Sequence, residues 1–202
     1  MNTFVKLCFI FSGIVLAFTL FIIISRKIIS NKLVKNLMAE NYDEFDKLIN
    51  NDLTKLVIKP YNLFFMQLNK EMISKNNSAV QKTANVFSRI KMNIDQAVTL
   101  YMRLFHYYLD QDDKTHAKRY YKKLNDYEFK GKEGYKVIYD TLVEDGYKYL
   151  NETLKAYEST TDESRKLEFE IMLMNMYTNK GDLKEAKKYE KLSSERAKTL
   201  TK

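Results

Sequence analysis

From Leu7 to Ile24 the chain runs eighteen residues without a charged side chain, and then turns polar for the rest of its length. At 1.5 Å of rise per residue this run makes a helix of about 27 Å, close to the roughly 30 Å hydrocarbon thickness of a bilayer. Backbone amides find no water in hydrocarbon, so a helix that satisfies them internally is the natural spanning form. A cleaved signal peptide would end at small residues, whereas this run ends Leu20-Phe21-Ile22-Ile23-Ile24-Ser25-Arg26-Lys27. Cys8 lies at the start of the run, not behind it, which argues against a lipoprotein signal. A core helix would show a polar face, and this one is apolar all round. The run is expected to be an uncleaved anchor.

Lys6 and the amino terminus precede the run; Arg26, Lys27, Lys32 and Lys35 follow it, with no acid before Glu40. Counting positive charge near the ends of a span favours a single-pass protein of the cell membrane with its C-terminal part in the cytoplasm. The opposite, extracytoplasmic placement is the alternative. The same four basic residues are candidate contacts for lipid headgroups. Gly13 and Ala17 form a small-xxx-small pair of the kind that lets two helices approach; the oligomeric state stays open.

Beyond the anchor the composition excludes several classes of protein. The chain has one proline, five glycines, no tryptophan, fifteen tyrosines and nine methionines. Turn-rich β folds and glycine-lined cofactor loops need more glycine and proline, whereas long helices with short joints need little of either. An all-α fold follows. Cys8 is the only cysteine, so neither a disulfide nor a thiolate zinc site is expected. The formal charge is +8. Residues 1–35 hold five basic side chains and no acid, so the remainder is nearly balanced at +3. Its distribution is uneven: residues 114–136 carry a net +5 and residues 140–170 a net −5. Solvated helix faces often show such blocks; a charged groove that orients a partner is the sharper reading.

Apolar residues recur at three- and four-residue spacing after Lys35, which predicts helices over 28–39, 42–56, 60–74, 77–91, 94–109, 113–125, 132–144, 147–159, 163–179 and 182–198. Asn76-Asn77-Ser78, Asp110-Gln111-Asp112-Asp113 and Asn179-Lys180-Gly181-Asp182 are the joints, rich in turn and cap residues. Two of the helix pairs share a skeleton: an aromatic near the end of one helix, a polar breaker, then an alanine on the packed face of the next. Met176-Tyr177-Thr178-Asn179-Lys180-Gly181-Asp182-Leu183-Lys184-Glu185-Ala186-Lys187-Lys188-Tyr189 shows it best, and Tyr108-Leu109-Asp110-Gln111-Asp112-Asp113-Lys114-Thr115-His116-Ala117 repeats it. Ala117 and Ala186 lie 69 residues apart, about two periods of 34, and Ala84 lies 33 before Ala117.

This order resembles the tetratricopeptide repeat, in a degenerate form. Asp112 stands for the glycine in the second unit, Glu190 for an aromatic and Met174 for a small residue, and the pair around Val143-Glu144-Asp145-Gly146-Tyr147 lacks the alanine. The resemblance implies stacked antiparallel helix pairs forming a right-handed α-solenoid. The expected organisation is an anchor over 1–24, a basic juxtamembrane segment over 25–39 and a helical-repeat domain over 40–202. Such a fold implies a non-catalytic scaffold that recruits a protein or peptide partner. Alternatives are a regulator that wraps a peptide or effector, and an envelope protein on the outer side.

The partner-binding candidates are the basic helix with Lys118, Arg119, Lys122 and Lys123, the acidic stretch from Asp140 to Glu170, and the pair Tyr177 and Tyr189. Lys187, Lys188, Lys191 and Arg196 suit a polar cap on the last repeat. Lys118 to Lys123 interleave with Tyr120 and Tyr121, but these aromatics match the buried stripe, which argues against nucleic acid. His106 and His116 are the only histidines, and their spacing fits no zinc motif. An EF-hand from Asp110 fails at Thr115 and Tyr121. No phosphate loop or nucleophile elbow is present, and pairs such as Asp162-Glu163 or Glu168 with Glu170 imply no pocket. No enzyme, cofactor or metal is expected.

Overall fold

The computed structural model describes the backbone of residues 3–201 and the side chains of residues 11–201. The Cys8 side chain, like the rest of the apolar run before Phe11, lies outside the described residues. The described residues form eleven α-helices and one 3₁₀ turn, with no strand. They are α1 (Thr3–Met38), α2 (Tyr42–Ile49), α3 (Asp52–Val57), α4 (Pro60–Ile73), α5 (Asn77–Val86) with a 3₁₀ turn at Phe87–Arg89, α6 (Ile94–Asp110), α7 (Lys114–Asn125), α8 (Lys132–Leu142), α9 (Leu150–Ser159), α10 (Glu163–Lys180) and α11 (Leu183–Leu200). The chain divides into two compact units, Met1–Met92 and Asn93–Lys202.

In the first unit α1 is one unbroken helix of 36 residues. The expected break between the apolar run and a helix from residue 28 does not occur. No glycine or proline stands between Ile24 and Met38, and the apolar spacing carries on through Ile29 and Leu33. The N-terminal part of α1 is long and apolar enough to cross a membrane, and only 6% of its most apolar window is buried by protein. Its C-terminal part belongs to a packed core, in which Ile29, Leu33, Phe45, Ile49, Val57 and Ile58 come together from α1, α2 and the end of α3. Burying a side chain such as Leu33 completely contributes about 1.5–3 kcal/mol.

The single helix expected over 42–56 is two. Asn50 turns its amide back to the Asp46 carbonyl, and the Asn51 carboxamide accepts from the Leu53 amide at 2.9 Å, starting α3. An asparagine cap competes well with continued helix because it satisfies a free amide at once. Lys70 then ties α4 to α2 through Asp46 at 2.7 Å. Pro60 stands at the first turn of α4, as its missing amide allows. Phe87, in the 3₁₀ turn that ends the expected helix over 77–91, packs edge-on against Tyr61 at 5.6 Å.

In the second unit α6 pairs with α7 and α10 with α11, each as a helical hairpin closed by a short joint. Asn93 and Gln96 cap α6 reciprocally, Asp113 caps α7 and Asp182 caps α11. Ala117 and Ala186 are both buried, which lets the paired helices approach. Tyr108 stacks on Tyr120 at 5.5 Å across the first hairpin, and Tyr177 on Tyr189 at 5.6 Å across the second. The middle pair differs: α8 and α9 each pack on α10. Helix α9 begins at Leu150, three residues later than expected. The Gly146 amide donates to the Asp140 carbonyl at 2.7 Å, and the Lys148 amide to its carboxylate at 3.1 Å. Asn179 of α10 fixes this turn by donating to the carbonyls of Thr141 and Gly146.

Candidate functional site

Four helices of the second unit leave an open groove of about 650 Å³. Leu109 comes from α6, Val137, Ile138 and Leu142 from α8, Ala156 from α9, and Phe169, Ile171 and Met172 from α10. Helices α8 and α10 supply most of the apolar lining, and α6 and α9 one apolar residue each. The walls carry charge of one sign. Asp110, Glu133, Glu152 and Glu168 line the groove with His106, and no lysine or arginine does. In a chain with a net charge of +8 that concentration of carboxylates sets this surface apart.

The four carboxylates are exposed. Glu133 is paired with Lys136 at 2.6 Å; Asp110, Glu152 and Glu168 have no salt-bridge partner among the described residues. His106 is half-buried and bonds the Tyr135 hydroxyl through Nε2 at 2.9 Å. Burial holds its imidazole below the ordinary histidine value; Asp110 pulls the other way and Arg103 adds to the lowering. The four exposed carboxylates rim an apolar floor. The arrangement suits an apolar ligand face flanked by positive groups.

The residues expected to bind a partner are not brought together. Lys118 is committed to Glu144 at 2.6 Å, and Glu144 also accepts from the Tyr139 hydroxyl. Lys123 lies 5.4 Å from the Tyr101 ring and 5.8 Å from that of Tyr120, and burial lowers its amine below the ordinary value, with Arg119 adding to the effect. Arg119 sits 5.8 Å from the Tyr120 ring. Arg119 and Lys122 are both exposed and have no salt bridge among the described residues. Tyr177 and Tyr189 are 9% and 5% exposed. Their stacked rings join α10 to α11, with Tyr157 of α9 edge-on to Tyr189. These two tyrosines therefore pack as part of the core of the second unit.

Arg196, expected on a solvated cap, is also drawn inward. Its guanidinium grips Glu170, which has no exposed surface, through Nε at 2.9 Å and a terminal nitrogen at 2.8 Å, and it bonds Glu163 as well. Tyr157 donates to Glu170 at 3.0 Å. Of the basic residues after the apolar run, Arg26 donates through Nε to the Val57 carbonyl at 2.7 Å, while Lys27, Lys32 and Lys35 are exposed. His116 bonds Asp113 at 2.7 Å, the cap of its own helix. Among the described residues no three histidine, cysteine or acidic side chains gather as around a metal.

The groove itself was half visible in the sequence. The acidic stretch from Asp140 to Glu170 supplies Glu152 and Glu168, but Asp110 and Glu133 lie outside it, one of them in the basic block. Compared with known proteins, the chain matches no family model, and no curated protein or solved structure matches it significantly.

Proposed function

We propose that this chain is a single-pass membrane protein that recruits a protein partner at the membrane surface without catalysing a reaction. The groove of the second unit carries the reading: an open apolar floor inside a ring of exposed carboxylates, with no cation among its lining residues. The partner segment that fits it is an amphipathic helix with leucine-like side chains on one face and lysine or arginine along its edges. Apolar contact supplies affinity in such a groove, and the charges supply register and speed of encounter. The hairpins α6–α7 and α10–α11, with their buried alanines, support a tetratricopeptide-like, right-handed repeat as the scaffold. The span is assigned to α1, and Arg26, Lys27, Lys32 and Lys35 favour a cytoplasmic domain.

A photo-crosslinking residue at Ile171, which lines the groove and is 43% exposed, tests this in cells. The expected product joins Ile171 to a lysine- or arginine-rich amphipathic segment, and its yield falls about tenfold when Glu152 and Glu168 are both changed to lysine, the loss of roughly 1.4 kcal/mol of binding. A crosslinked segment that is acidic or uniformly polar, or a yield indifferent to both reversals, contradicts the proposal.

A further inference from the structure

We infer that α3 is a second membrane contact, a short amphipathic foot that rests on the phospholipid surface beside the point where α1 emerges. The inference rests on the reading of α1 as a span. Two independent contacts place the foot. Arg26 stands two residues beyond Ile24, the last of the apolar run, and its Nε is 2.7 Å from the carbonyl of Val57, the final residue of α3. Two residues of helix are only about 3 Å of rise, so the end of α3 lies at the level where hydrocarbon gives way to headgroups. The second contact is Ile22. Among residues 11–24 it is the only side chain that is partly buried rather than exposed, and it packs against the core that contains Val57 and Ile58. The folded unit therefore touches α1 inside its apolar run, and has no room to stand off from the bilayer.

The surface that α3 presents fits that level. Thr54 and Val57 face the protein core, leaving Leu53 and Leu56 exposed at 38% and 68%. Three residues apart on a helix, they share one face. Lys55 and Lys59 are exposed beside them. Leucines at the acyl boundary with lysines reaching phosphate is the pattern of an interfacial helix. Neither leucine belongs to the core of the unit, and among the large apolar side chains after Val34 only Met38 is more exposed than Leu56.

The test uses the full-length protein in phospholipid nanodiscs, with Cys8→Ala and a single environment-sensitive fluorophore on Leu56→Cys, Leu53→Cys or, as the reference for the span, Leu16→Cys. If α3 lies on lipid, headgroup-attached nitroxides quench the labels at 53 and 56, and iodide quenching is roughly threefold weaker than for the same label on an unfolded peptide. Full iodide access at 53 and 56 while position 16 stays protected overturns the foot and leaves the span standing. Iodide access at position 16 as well overturns both.

Discussion

Glu170 and Arg196 lie 26 residues apart on α10 and α11, and each is positioned by the other. The carboxylate has no exposed surface, and both its oxygens are taken by the guanidinium, with Tyr157 donating to one. Removing the cation strands a buried charge, so Arg196→Ala is expected to cost about 3–5 kcal/mol, read as a lowered midpoint in urea unfolding; a loss below about 1 kcal/mol, typical of an exposed pair, would contradict the pairing. His106 gives a pH dependence. Burial holds its imidazole below the ordinary value, so the folded unit binds fewer protons than the unfolded chain. Its contribution is complete above the unfolded value of about 6.5 and is lost as the pH falls through that value toward the lower folded one. The melting temperature is expected to fall between pH 7.5 and pH 5, and less steeply in His106→Gln; parallel profiles would contradict this. Neither feature was legible in the sequence beforehand. Arg196 reads as one more cation on a charged last helix, and only the packing of α11 on α10 brings it to Glu170. Tyr177 and Tyr189 were legible only as ambiguous: tyrosine suits both cores and interfaces, and the hairpin packing buries both rings.

Helices are the scale at which the sequence was most informative. Three- and four-residue spacing located α4 to α11 closely, because amphipathic faces and asparagine or aspartate caps are local signals. Where boundaries moved, a local competitor was responsible. Asn51 caps α3 and divides the helix expected over 42–56, and the close approach of Gly146 to Asp140 delays α9. A methyl group on Gly146 would meet that carboxylate at 2.6 Å. The continuity of α1 was hidden for a different reason: the change from apolar to basic sequence at Arg26 looks like a boundary, yet changes only what surrounds the helix. Its lower half is as much a part of the first unit as α2 is. Leu33→Ala, at a position with no exposed surface, is expected to cost about 2–5 kcal/mol. Hydrogen exchange should accelerate in α2 and α3 and not in α10 and α11; equal acceleration in both sets would contradict the division into two units. The groove shows the limit of such reading. Its acids are visible in the chain, but their convergence depends on α8 and α9 both packing on α10.

At the scale of the molecule, a helix able to span a bilayer runs without a break into a packed helical unit, followed in the chain by a second unit that bears an apolar, acid-rimmed groove. A long apolar helix left bare by its own protein has a natural environment in lipid. The proposed recruitment at a membrane needs both parts, and fails if either is misplaced. The most direct measurement is the side and firmness of attachment in intact cells, using Cys8→Ala with a single cysteine at the exposed Leu183 and a membrane-impermeant maleimide. The expected result is a protein that stays with membranes through alkaline carbonate and is labelled only after the membrane is opened. Release by carbonate would contradict the anchor, and labelling in intact cells would place the groove on the outer side, away from any cytoplasmic partner.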